Sequence, residues 1–256
     1  TAYASAGISG LGAEAVTLTD TALTDPSILV TLNTKTTKTI NADTLSTVSG
    51  SLSTVKSVYD AKVAVTENST NDGISGLGDQ TITITDTGSV AASDLTAVAS
   101  ANSSGTLAAA SVTTVTGSAS GVIAAYASGV VDSGLGDETI TIDSGTVSVE
   151  NVNDLNALTT STVTATVTST TTIAAMLHAS TGISESGHAT TITIHSNDAS
   201  ATAANLNSLD DLTTVAVNAA EVTAISGSLS ELVTLYASSG VSGLNGEAVT
   251  VSDTGS

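Results

Sequence analysis

The chain contains no cysteine, no tryptophan and no phenylalanine, a single proline, and no basic residue other than four lysines and three histidines. Each gap excludes something. Without cysteine no disulfide holds the fold, which suits either a reducing compartment or an exported protein that avoids thiol chemistry. Aromatics make up 2% of the residues, all of them tyrosine, so a core has to be assembled from Ile, Leu, Val and Ala in many thin layers. The scarcity of Lys and Arg, with a net charge of −20, excludes binding to a phosphate backbone, which needs cations to replace counterions; no nucleic acid partner is expected. No apolar run approaches the length of a membrane span, so no membrane insertion is expected either. The chain starts at Thr1 with neither Met nor a secretion signal, and reads as a processed product or a fragment. Apolar residues at 40% and a positive mean hydropathy argue against disorder despite the acidity.

Self-similarity fills the space these absences leave. The stretch GLGDQTITITD, residues 76–86, returns as GLGAEAVTLTD from Gly10, SGLGDETITID from Ser133, SGHATTITIH from Ser186 and LNGEAVTVSD from Leu244. Alternation in each copy sets two aliphatics on one strand face: Val16/Leu18, Ile82/Ile84, Ile140/Ile142, Ile192/Ile194 and Val249/Val251. Measured between the first aliphatics of successive copies, the period is long and elastic. After each strand, PSILVTL from Pro26, ASDLTAV from Ala92, VNDLNAL from Val152 and AANLNSL from Ala203 keep an i, i+3 spacing that predicts a short helix. Asp94, Asp154 or their Ser and Asn neighbours are the expected caps.

A weaker strand follows, around residues 39–42, 106–109, 162–165 and 214–217, and then a second helix. Its copies are SGSLSTVKSVY from Ser49, TGSASGVIAAY from Thr116 and SGSLSELVTLY from Ser226, where serine after glycine suits an N-cap. Tyr3, Tyr59, Tyr126 and Tyr236 end this helix, with Met176 or Leu177 in their place in the third full copy, and read as the one large plug of each layer. The link through residues 60–72 is longer than its counterpart after Tyr126 and reads as a surface insertion.

Parallel strands joined by helical crossovers wind right-handed. The expected fold is an α/β repeat, a right-handed parallel β-solenoid with short helical crossovers and about four and a half units of 52–66 residues. It should run through residues 1–256 as a single continuous array, with no clear capping repeat at either end. Two half-units of about 25 to 30 residues resemble leucine-rich-repeat coils in size, without that family's asparagine ladder.

Three chemistries are suggested by the residues, each beside a plainer explanation. Asp79 and Asp137 follow the Gly-Leu-Gly turn, and Asp86 and Asp143 follow the strand, in a pattern that resembles half of the calcium turn of RTX solenoids; calcium is the one cofactor they suggest. Seven extended residues separate Asp79 from Asp86, about 23 Å at about 3.3 Å each, so one ion cannot bridge them within a copy. The bland reading is turn glycines with solvated aspartates. Outward threonines such as Thr81/Thr83/Thr85, Thr139/Thr141 and Thr191/Thr193 resemble ice-binding arrays, although Thr is also a good exposed strand residue. His178, His188 and His195 gather in the third unit and read as ordinary surface residues rather than a metal site. No nucleophile elbow, phosphate-loop lysine or dinucleotide fingerprint is present, so the chain is not expected to be an enzyme.

With strand, Asp-Leu-Asn-Ala-Leu-type helix, Gly-Ser helix ending in Ala-Tyr-Ala-Ser and Gly-Ile-Ser-Gly-Leu-Gly turn assembled, the full length resembles the tandem repeats of very large bacterial cell-surface proteins. These are the beta-strand-repeat proteins frequent in cyanobacteria and other aquatic bacteria. The resemblance implies an extracellular or cell-surface location and a structural role in a fibre, sheath or adhesin stalk. Copies would stack as a homo-oligomer or an end-to-end filament. The alternative is a solenoid that binds calcium, ice or a surface glycan.

Overall fold

A computed structural model describes residues 8–63 and 73–253. Tyr3 and most of the link expected as a surface insertion lie outside the described residues. The fold is α/β: short strands, every pair parallel, with helices between them. Among the described residues there are eight α-helices: α1 (Pro26–Asn33), α2 (Leu52–Asp60), α3 (Ala92–Ala101), α4 (Ala119–Ala125), α5 (Val149–Asn156), α6 (Ile173–Met176), α7 (Ala203–Asp210) and α8 (Leu229–Ala237). Seven of these fall where the i, i+3 spacing or the Gly-Ser signal predicts a helix; α6 carries neither signal and lies in the copy where Met176 or Leu177 replaces the tyrosine.

The chain divides into two compact units, one of residues 1–115 with 124–135 and the other of 116–123 with 136–256. In the first, the strands Val16–Thr17, Ile40–Asn41 and Ile74–Ser75 form one sheet, and Ala22–Leu23, Thr47–Gly50, Thr81–Ile84 and Thr106–Ala108 form another. In the second, Thr139–Ile142 pairs with Val163–Thr166 and that with Ala189–Thr191, while Ser200–Thr202, Ala224–Gly227 and Ala248–Val251 make a further sheet beside the pair Val217–Asn218 and Val241–Ser242. Strand order within each of these sheets follows the chain, so each strand lies against the next strand of its own sheet. A helix between parallel partners supplies the crossover that a tight turn cannot.

The period of the ladder is half the period of the sequence motif. Ala22 lies against Thr47, Thr81 against Thr106 and Ala224 against Ala248, in each case one half-unit further along the chain. Copies of the Thr-Ile-Thr-Ile strand therefore do not pair with one another. Thr81–Ile84 is flanked by Thr47–Gly50 on one side and Thr106–Ala108 on the other. Thr47–Gly50, Thr114–Gly117 and Ala224–Gly227 are strands that periodicity does not reveal, because they run straight into the N-cap of the Gly-Ser helix and end on glycine. Their central residues Val48, Val115 and Ile225 are nonetheless fully buried.

Packing follows the alternation. Ile82 and Ile84 are buried while Thr81 and Thr83 face solvent, each buried isoleucine contributing about 1.5–3 kcal/mol. Helices bury one stripe: Leu95 and Val98 in α3, Val152 and Leu155 in α5, Leu206 and Leu209 in α7. Their caps differ from expectation. Ser51 and Ser228 do cap α2 and α8, the latter in a reciprocal capping box with Glu231. For α5, however, the cap is Ser148, with Asp154 inside the helix, and α3 has no side-chain cap at all.

Candidate functional site

The Gly-Leu-Gly turn enters each strand through backbone that only glycine adopts readily: φ is +79° at Gly76 and +134° at Gly78. A Cβ on Gly76 would also collide with the backbone of Ala42 and Asp43. The residue just before the strand then folds back on the turn. Gln80 Oε1 accepts the amide of Gly78 at 2.7 Å, as Glu138 Oε2 accepts that of Gly136 at 2.8 Å and Glu14 Oε2 that of Gly12 at 2.6 Å.

The tyrosine joins this arrangement from the preceding helix. The Tyr59 hydroxyl, buried, donates to Gln80 Oε1 at 3.0 Å and Asn102 Oδ1 at 3.1 Å, while Gln80 Nε2 donates to the carbonyls of Leu45 and Gly76 and to Asp79 Oδ1. Burial, reinforced by the charge of Asp79, pushes the Tyr59 hydroxyl well above the usual tyrosine range. Tyr236 keeps the motif in exposed form, donating to Glu247 Oε1 at 2.8 Å; its pKa is raised by burial and then by that carboxylate. Met176 fills the corresponding place in the third copy and is buried.

The four candidate calcium ligands have separate settings. Asp79 is exposed, receives Gln80 Nε2 at 2.7 Å, and lines a shallow hollow with Asp43, Lys62, Ser103 and Ser104. The Lys62 ammonium sits at that turn, donating to the Ala101 carbonyl at 2.7 Å. Asp86 accepts the backbone N–H of Leu52, the first residue of α2, at 2.7 Å. Asp198 and Asp253 do the same for Ile173 of α6 and Leu229 of α8. Asp86, Asp198 and Asp253 thus each satisfy the first amide of a helix about one half-unit back in the chain, where a carboxylate also suits the positive end of the helix dipole. Asp137 and Asp143 are exposed in their turn and strand end. Among the described residues, no group of three or more His, Cys, Asp or Glu could hold a metal.

His188 is buried rather than on the surface, because its Nδ1 accepts the amide of Val163 at 3.1 Å. A neutral ring so bonded carries its proton on Nε2, which lies 3.7 Å from Glu185 Oε2, and has no lone pair left for a metal. His195 accepts the amide of Asn197 at the start of a short 3₁₀ turn, and His178 engages Ser180 and Thr181. The threonine face does not form a uniform column: Thr83 lies between Ser49 and Ala108 in the ladder.

A ladder of side-chain donors, not visible as a motif in the sequence, joins the turns. Thr36, Asn102, Thr159 and Thr213, all buried, donate to the carbonyls of Glu14, Gln80, Glu138 and Thr190, at 2.8, 2.8, 2.6 and 2.6 Å. They occupy the role of an asparagine ladder with mixed residues, and each stands seven positions after a buried helix residue, Leu29, Leu95, Val152 or Leu206. That constant offset was the available signal. What these residues do chemically is satisfy backbone groups of the neighbouring strands and turns. No family model, no curated protein and no solved structure matches the chain.

Proposed function

We propose that this chain is a structural protein without catalytic activity, folded as a right-handed parallel β-solenoid and serving in an extracellular fibre, sheath or adhesin stalk. The observation that carries the reading is the ladder itself. Parallel strands recur once per half-unit, and the polar side chains of the turns are spent on the neighbouring coil's backbone. In such an array each coil contacts only its neighbours, so length can be added without redesigning a core, which is what a stalk requires.

The reading is tested by duplicating residues 82–139, one full sequence period, in phase. Two extra rungs should lengthen the particle by roughly 10 Å on the sheet side, at about 4.8 Å per strand, with no change in cross-section. Small-angle scattering that showed a thicker particle of unchanged length would reject the solenoid. Antibody to the chain should label intact source cells without permeabilisation; labelling only after lysis would reject the surface role.

A further inference from the structure

Within the second compact unit a hollow of about 690 Å³ lies between the C-terminal end of α5 and the turn at residues 185–188 that leads into the strand Ala189–Thr191. That is the size of a small-molecule site. Asn156, Thr159 and His188 are its buried lining, 2%, 8% and 8% exposed, while Thr160, Thr162 and Glu185 stand exposed at the rim. Both polar atoms of the Asn156 carboxamide, Oδ1 and Nδ2, are buried and have no hydrogen-bond partner among the described residues. A buried group left in that state bears its full desolvation cost, and folded proteins rarely tolerate one without a reason.

The same position in the other helices of this kind, four residues after Leu29, Leu95 and Leu206, is held by Asn33, Ala99 and Asp210. Ala99 has nothing to satisfy, Asp210 accepts the Ser238 hydroxyl at 2.6 Å, and Asn33 lacks a partner at its oxygen alone. Of these four residues, Asn156 leaves a donor and an acceptor open side by side.

The lining decides what chemistry fits. No lysine or arginine among the described residues lines the hollow, which disfavours an anion, and no aromatic or large aliphatic side chain offers a surface to an apolar ligand. Glu185 is the one carboxylate in the wall, and His188 has spent its Nδ1 lone pair on the Val163 amide, which is too little to hold a metal ion. Neutral hydroxyl chemistry remains. A hydroxyl both donates and accepts, so two adjacent hydroxyls satisfy the carboxamide together, a third donates to Glu185, and the Nε2–H of a neutral His188 donates to an oxygen. The hydroxyls of Ser161, Thr162 and Ser186, unbonded among the described residues, widen that polar wall. Residues 185–187 make no backbone hydrogen bond among the described residues, so this side of the hollow can shift to let a ligand reach the carboxamide.

We propose that the hollow binds a saccharide unit, with Asn156 recognising a pair of adjacent ring hydroxyls and Glu185 accepting from another. The site lies inside one compact unit and does not rest on the solenoid reading, so its failure would leave that reading standing.

The test is a titration of the ¹⁵N-labelled full chain with methyl α-mannopyranoside, methyl β-galactopyranoside and N-acetylglucosamine, each to about 50 mM, followed by NMR. At least one should shift the Asn156 side-chain amide resonances and saturate with a dissociation constant of about 1 mM. Sodium phosphate and magnesium chloride, compared with sodium chloride at equal ionic strength, should give no saturable shift there. Asn156→Ala, which installs the residue α3 already carries, should abolish the saturable shift at the Ser161 and Gly187 amides without lowering Tm, because no hydrogen bond within the chain is lost. Glu185→Gln, at an exposed position, should weaken binding about tenfold. The proposal fails if none of the three sugars saturates, if phosphate or magnesium does so in their place, or if either variant binds as the wild type does. A lower Tm in Asn156→Ala would overturn it as well, by showing that the carboxamide is already bonded in the free protein.

Discussion

Tyr59 shows how a single side chain can fix a layer in a core that has almost no aromatics. Its ring is buried and its hydroxyl is shared by two carboxamide oxygens, each of which also accepts a backbone amide: Gly78 for Gln80 and Gln80 itself for Asn102. Tyr59→Phe therefore orphans no acceptor, and the expected cost at neutral pH is about 1 kcal/mol, a fall in Tm of about 2–4 °C for a chain of this size. The pH dependence is more diagnostic. A tyrosine whose folded pKa is raised contributes stability that is complete below its ordinary value near 10.0 and is lost as pH rises toward the folded value. Unfolding free energy should thus fall by about 1.4 kcal/mol per pH unit above pH 10 on account of this group alone. Urea titrations from pH 8 to 11 should show that decline flatten in Tyr59→Phe; parallel curves for the two proteins would place the alkaline sensitivity elsewhere.

At the scale of elements, strands and helices were legible because alternation and i, i+3 spacing are local: residues 81–84 and the leucines of α3 and α7 announce themselves. Register was not. The eye pairs like with like, Thr-Ile-Thr-Ile with its own copies, whereas the backbone hydrogen-bonds the nearest strand, one half-unit away and dissimilar in sequence. The same shift explains the aspartates. Read along one copy, Asp86 is an acidic residue after a strand; read across the sheet, it caps α2 through the amide of Leu52. Asp86→Ala should cost about 0.5–2 kcal/mol, the usual worth of an N-terminal cap, and Asp86→Asn should recover most of it because the amide oxygen still accepts. Melting curves in chelator decide the point: a calcium ligand would lose as much with Asn as with Ala, and only when calcium is present.

For the molecule as a whole the dominating quantity is charge. Twenty-four acids face four lysines, and among the described residues one lysine, Lys56, is held in an ion pair, with Asp60. Self-repulsion of that size destabilises any compact state and is relieved by screening, whose range falls from about 30 Å at 0.01 M salt to about 10 Å at 0.1 M. Stability should therefore rise with ionic strength regardless of which cation supplies it. Asp86, Asp198 and Asp253 are already spent on helix amides, which favours this diffuse response over an ion held at those residues. Calcium and magnesium chlorides at equal ionic strength should raise Tm alike, to within about 1 °C, and dialysis against chelator should leave only the sodium chloride curve. A specific site would behave differently, because ligand binding to the folded state adds stability that grows with the logarithm of free calcium above its dissociation constant. A calcium-selective rise in Tm that persists at high sodium chloride would return Asp79, Asp86, Asp137 and Asp143 to the role of ligands. It would also require Asp86 to leave the Leu52 amide, to which it is committed in this fold.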